Sequence, residues 1–167
     1  MRADPTDPLD RLRDEATEQT TALLLGLRNG ASVVAWADAA IHASDAPDAA
    51  LYEVSLTPPG DLSALRHALA PLAHDPVPER TVRAMLALAA DDLAAGRRRA
   101  ADTVRVLAQM RRMLPLPADV GEFIDRLKDG HMLAEVGLGM TVDEAESRVR
   151  EWLQSMGTGA AAARPLP

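Results

Sequence analysis

Between Ser32 and Ile41 the apolar residues fall at positions 33, 36, 37, 40 and 41, a spacing of i, i+3, i+4, i+7 and i+8. That period puts them on one continuous stripe of an α-helix but on both faces of a strand, so it selects the helix. The period returns in Val82, Met85, Leu86, Ala89 and Leu93, and again in Val120, Phe123, Ile124 and Leu127. It closes the chain in Val142, Ala145, Val149, Trp152, Leu153 and Met156. Only "PDAALYEVSL" is ambiguous. Ala50, Leu51 and Val54 have helical spacing, whereas Tyr52, Val54 and Leu56 alternate like a strand. No second strand exists to pair with it, so a helix is expected. Aromatic residues make up 2% of the chain, and alanine and leucine dominate its 47% hydrophobic share. Such a mixture suits helices packed closely through small side chains and argues against a sandwich or barrel.

Local signals divide the helices. Asp7 is an N-cap, Pro8 fits the first helical position, and Asp10 meets the positive end of the helix dipole. This helix is expected to run to Leu27 and to stop at "RNG", a left-handed turn signal. Ser32 is expected to cap the next. Further helices are expected over 61–73, 78–95 and about 98 to 114, with a turn or kink at Gly96. Gly130 is expected to interrupt the helix that "PLPADV" opens, and Thr141 with Glu144 has capping-box spacing. No internal repeat emerges. The expected fold is all-α: one domain over residues 1–157, about eight short helices in a compact bundle or short superhelix, then a disordered tail over 158–167.

The 167 residues carry a net charge of −7 with a pI near 5.0. Residues 1–60 hold 10 acids and 4 bases, whereas residues 79–112 hold 4 acids and 8 bases. This is an acidic chain with a basic middle, a balance that disfavours general binding to nucleic acid or anionic membranes. It has no cysteine, which excludes disulfides, thiol nucleophiles and thiolate metal sites. "MRADPTDPLD" lacks the apolar core of a signal peptide, and "ALLLGL" falls far short of a membrane span. A soluble cytoplasmic protein without membrane attachment is expected.

No motif dictates a chemistry. His42, His67, His74 and His131 form neither an HExxH pattern nor a cluster with acids, and adjacent Asp91 and Asp92 diverge by ~100° on a helix, so no metal is expected. There is no GxSxG elbow, and "GLGMT" lacks the spacing and lysine of a phosphate loop, so no cofactor or catalytic residue is assigned. Arg98, Arg105 and Arg112 recur every seven residues, a stripe roughly 20 Å long that would suit phosphate contacts. The simpler account is that they pair with acidic neighbouring helices.

"RLKDGH", Arg126 to His131, resembles the Arg-x4-His motif of the helical ribonucleases of the HEPN superfamily. The resemblance implies phosphodiester cleavage by Arg126 and His131 between two protomers. This sequence departs from that pattern, with Leu127 where a polar residue is usual and Gly130 inside the motif.

What remains is the surface. Trp36, in the middle of its stripe, is expected in the core. "SDAPDAALYE" gathers acids and the only tyrosine around a proline-containing loop. Asp38, Asp45, Asp48, Tyr52 and Glu53 are therefore the candidate contacts for a protein partner with a basic surface. "LLLGLRNGASVVAWADAAI", "PDAALYEVSL" and "DGHMLAEVGLGMTVDEAESRVREWL" together resemble small all-helical uncharacterised bacterial proteins, some of which are immunity proteins that neutralise a toxin of the same cell. The resemblance implies a non-enzymatic binding protein. The alternative is a nucleic-acid-directed helical protein, acting through the arginine stripe or as a HEPN-like ribonuclease.

Overall fold

The computed structural model describes residues 7–157 and contains eight α-helices: α1 (Pro8–Leu24), α2 (Gly30–Ala43), α3 (Ala49–Leu56), α4 (Leu62–Leu69), α5 (Glu79–Ala94), α6 (Ala100–Met113), α7 (Ala118–Glu135) and α8 (Val142–Gly157). The fold is all-α, with no strand among the described residues. None of their helices is long and apolar enough to cross a membrane. The expected tail at 158–167 and the side chain of Met156 lie outside the described residues. The chain divides into two compact units, residues 1–81 and 82–167, with the boundary in the first turn of α5.

In the first unit the stripes predicted from periodicity form the core. Leu23 of α1, Val33 and Ala37 of α2, Leu51 and Val54 of α3, and Leu65 and Leu69 of α4 are buried together. Each such Leu or Val contributes about 1.5–3 kcal/mol on burial. Trp36 differs from expectation. It packs on the edge of this core, half-buried, and its indole Nε1–H donates to Glu15 Oε2 at 3.1 Å. An indole has one polar atom to satisfy, and the α1 carboxylate satisfies it at the surface.

The segment after α4 returns to α1. His74 Nε2 lies 2.9 Å from Asp14 Oδ1, Arg80 also pairs with Asp14, and the His74 N–H donates to Thr17 Oγ1 at 2.8 Å.

In the second unit Val104, Leu107, Met110, Ile124, Leu127, Val149 and Leu153 are buried, and Phe123 stacks on Trp152 with centroids 4.9 Å apart. α8 starts with the predicted capping box: Thr141 N–H donates to Glu144 Oε2 at 2.8 Å, and Glu144 N–H donates to Thr141 Oγ1 at 3.3 Å. Gly130 does not break α7, which runs unbroken through it. A Cβ there would sit 3.4 Å from Met140 Cε, an ordinary packing distance.

The corners before α2 and α6 are built alike, at a spacing of 70 residues. Leu27 and Arg28 N–H donate to Ala22 O at 2.8 and 3.2 Å, and Gly26 N–H to Leu23 O at 3.2 Å. Arg97 and Arg98 N–H donate to Asp92 O at 2.9 and 3.1 Å, and Gly96 N–H to Leu93 O at 3.1 Å. Gly26 and Gly96 hold φ of 66° and 68°, the left-handed conformation that ends a helix in this motif. Both helices that follow are 14 residues long. The same ending closes α7, where Leu138 N–H donates to Leu133 O at 2.8 Å and Gly137 N–H to Ala134 O at 3.1 Å, so it is a shared helix ending and not an internal repeat. It also corrects the end of the first helix: the left-handed residue is Gly26, and Asn29 caps α2, its Oδ1 accepting the Ser32 N–H at 2.9 Å.

Candidate partner-binding face

α3 is short and is fixed at both ends. Asp48 caps it, Oδ1 accepting from Ala50 N at 2.9 Å, and at its far end the Thr57 hydroxyl donates to Glu53 O at 2.7 Å. Ala50, Leu51 and Val54 turn inward. The helical period then forces Tyr52, Glu53 and Leu56 outward. Tyr52 is 46% exposed and Leu56 83% exposed, so Leu56 contributes almost nothing to the core. Asp48, Tyr52 and Leu56 are spaced four apart, which makes them one row along the helix.

Acids surround that row. Asp38 of α2 accepts a hydrogen bond from the Ser55 hydroxyl of α3, and its carbonyl lies 2.7 Å from His42 Nδ1. Asp45 is exposed in the loop between α2 and α3, and Glu53 is exposed beside Tyr52. Asp48, Tyr52 and Glu53 thus share one helix, Asp38 adjoins it through Ser55, and Asp45 lies on the loop that enters it. Between Arg28 and Arg66 the chain has five acids and no lysine or arginine. Residues 1–81 hold 13 acids and 6 bases, net −7, whereas residues 82–167 hold 12 of each. The whole net charge is in the first unit.

Leu56 escaped sequence reading because it was weighed only as a strand position. Once the segment is a helix, its spacing of four from Tyr52 is the signal that finds it.

The arginine stripe is interrupted. Arg98 precedes α6 and lies 3.9 Å from Asp92, which also binds Arg97 at 2.9 Å. Arg105 binds Asp102 at 2.5 Å within α6, Arg111 lies 3.4 Å from Asp125, and Arg112 is exposed. Arg126 and His131 do not converge. Five residues on an unbroken helix separate them by about 140°. Arg126 lies over the Phe123 ring, 5.5 Å from its centroid, while His131 is buried. Among the described residues no group of three or more His, Asp or Glu side chains stands ready for a metal ion. Comparison of the chain with protein-family models, curated proteins and solved structures gives no significant match.

Proposed function

We propose that this chain is a non-enzymatic protein-binding module that docks a partner with a basic surface on the outer face of α3. The observation that carries this reading is Tyr52 and Leu56, exposed together in a stretch whose charged residues are all acidic. Tyr52 supplies amphipathic contact area at small entropic cost, Leu56 supplies apolar area, and the acids around them steer a cationic partner into place. A cytoplasmic inhibitor that caps a basic effector, as an immunity protein caps its toxin, is the specific form proposed.

Capture from native lysate at low and high salt, with nuclease treatment, tests the class of partner. A basic protein that survives nuclease and weakens with salt supports the reading. Recovery of nucleic acid in its place, lost on nuclease treatment, contradicts it and returns attention to Arg98, Arg105 and Arg112.

A further inference from the structure

Within the second unit, α6 and α7 leave a hollow of about 140 Å³ at the end away from their connection. Its apolar wall comes from Ala101, Val104 and Met132, and its polar wall from Arg105, Lys128, His131 and Glu135. Sites for drug-sized ligands run to ~300–1,000 Å³, so this one admits a small ligand or one group of a larger molecule.

Two cations line it. Arg105 of α6 and Lys128 of α7, the chain's one lysine, stand beside Glu135 in the lining, and each has an aspartate next to it, Asp102 and Asp129. Asp102 engages Arg105 through one guanidinium nitrogen, and a guanidinium has five N–H donors in a planar fork that matches an oxyanion. Lys128 stands 3.7 Å from Asp129, a loose contact.

His131 supplies an independent observation. It is only 6% exposed, and neither ring nitrogen makes a hydrogen bond. Glu135 Oε1 stands 3.4 Å from Nε2 without forming one. Buried polar side chains in proteins are nearly always bonded, and leaving one unmet is costly. The Glu135 side chain is 55% exposed and is free to swing outward, which opens Nε2 to an incoming oxygen.

We infer that the α6–α7 hollow is a binding site for a small oxyanion, phosphate or the phosphate of a small phosphomonoester, held by Arg105, Lys128 and His131. Glu135 stands where the anion would meet His131 and competes with it. This inference does not depend on the α3 reading.

The test titrates the full chain with inorganic phosphate, sulfate and glycerol 3-phosphate, by calorimetry and by the ring nitrogen resonances of His131. Binding is expected to shift those resonances. Arg105→Ala and Lys128→Ala should each weaken it by about tenfold or more, the loss expected for a charged hydrogen bond. Glu135→Ala should tighten it, and Arg126→Ala, away from the hollow, should leave it unchanged. Tighter binding of glycerol 3-phosphate than of phosphate assigns a phosphomonoester, and the reverse order assigns the free anion. Absence of binding by all three ligands overturns the inference, as does binding that ignores Arg105→Ala and Lys128→Ala. So does a Glu135→Ala variant that binds no better than the wild type.

Discussion

The corner before α2 and the corner before α6 share every backbone hydrogen bond described above, yet are held by different chemistry. In the first, Ala22 and Leu27 are both buried. In the second the matching residues are Asp92, 9% exposed, and Arg97, joined by a 2.9 Å ion pair. The helix that follows starts with Gly30 in one and Ala100 in the other. The shared part is what a left-handed glycine and a run of unpaired carbonyls require. The remainder is set by what lies against each corner, so a backbone motif can recur with little shared sequence.

The largest expected effect separates the two helix starts. A Cβ on Gly30 would fall 1.9 Å from Pro59 O, a backbone atom that cannot turn aside. Gly30→Ala is expected to cost about 3 kcal/mol or more. The mirror change, Ala100→Gly, should cost only about 1 kcal/mol. Urea denaturation of both variants checks the contrast, and equal costs would mean that the two starts are packed alike.

Next comes the ion pair. Asp92→Ala leaves Arg97 and Arg98 without their shared carboxylate and is expected to cost about 2 kcal/mol. Adding Arg97→Leu rebuilds the Ala22–Leu27 pattern of the first corner. Most of the loss should then return, because replacing both partners by apolar groups leaves neither member of the pair unsatisfied. A double variant no better than Asp92→Ala would show that the second corner needs its charges.

The smallest effects concern pH, and they have opposite signs in the two units. Burial, and then the nearby Glu15 charge, raises the Glu18 pKa above the usual carboxylate range. A raised folded pKa favours folding while the group is protonated, and that contribution is lost as pH rises through it. Glu18→Gln should therefore stabilise the protein at neutral pH and make no difference in acid. Hydrogen bonds from the Thr141 backbone and then its side chain lower the Glu144 pKa. Its contribution is present above the unfolded pKa and is lost as pH falls through the folded one. Glu144→Gln should thus destabilise at neutral pH, with the difference vanishing in acid. Melting curves between pH 3 and 7 would read both, the range following from ordinary carboxylate pKa values of about 4.

What was legible in the sequence follows the range of the interactions. Asp7 with Pro8, and Thr141 with Glu144, act within one helical turn, so spacing alone identified them. The apolar stripes located the core for the same reason. "RNG" misled because a C-terminal glycine is defined by where the last helical carbonyls find partners, which lies at Gly26. Gly130 misled because one glycine inside a helix costs only about 1 kcal/mol, and the packing of Ile124, Leu127, His131 and Ala134 carries α7 through it. The likeness of the two corners was hidden because it lies in backbone hydrogen bonds, while matched positions exchange alanine for aspartate, leucine for arginine and glycine for alanine. At the candidate face Asp38 stands out as the border of a stripe, and Asp45, Asp48, Tyr52 and Glu53 as acids and the only tyrosine around a proline-containing loop. The orphaned nitrogens of His131 depend on packing, which no local pattern encodes.

Tyr52 and Leu56, exposed among acids on α3 of the acidic first unit, carry the functional proposal. Its most direct test is capture from native lysate with three baits: the wild type, the Tyr52→Ala/Leu56→Ser variant of α3, and Lys128→Ala in the second unit. The expected result is a basic protein held by the wild type and by Lys128→Ala but lost from the α3 variant. A partner that stays on the α3 variant and leaves Lys128→Ala would contradict the assignment of binding to the α3 face.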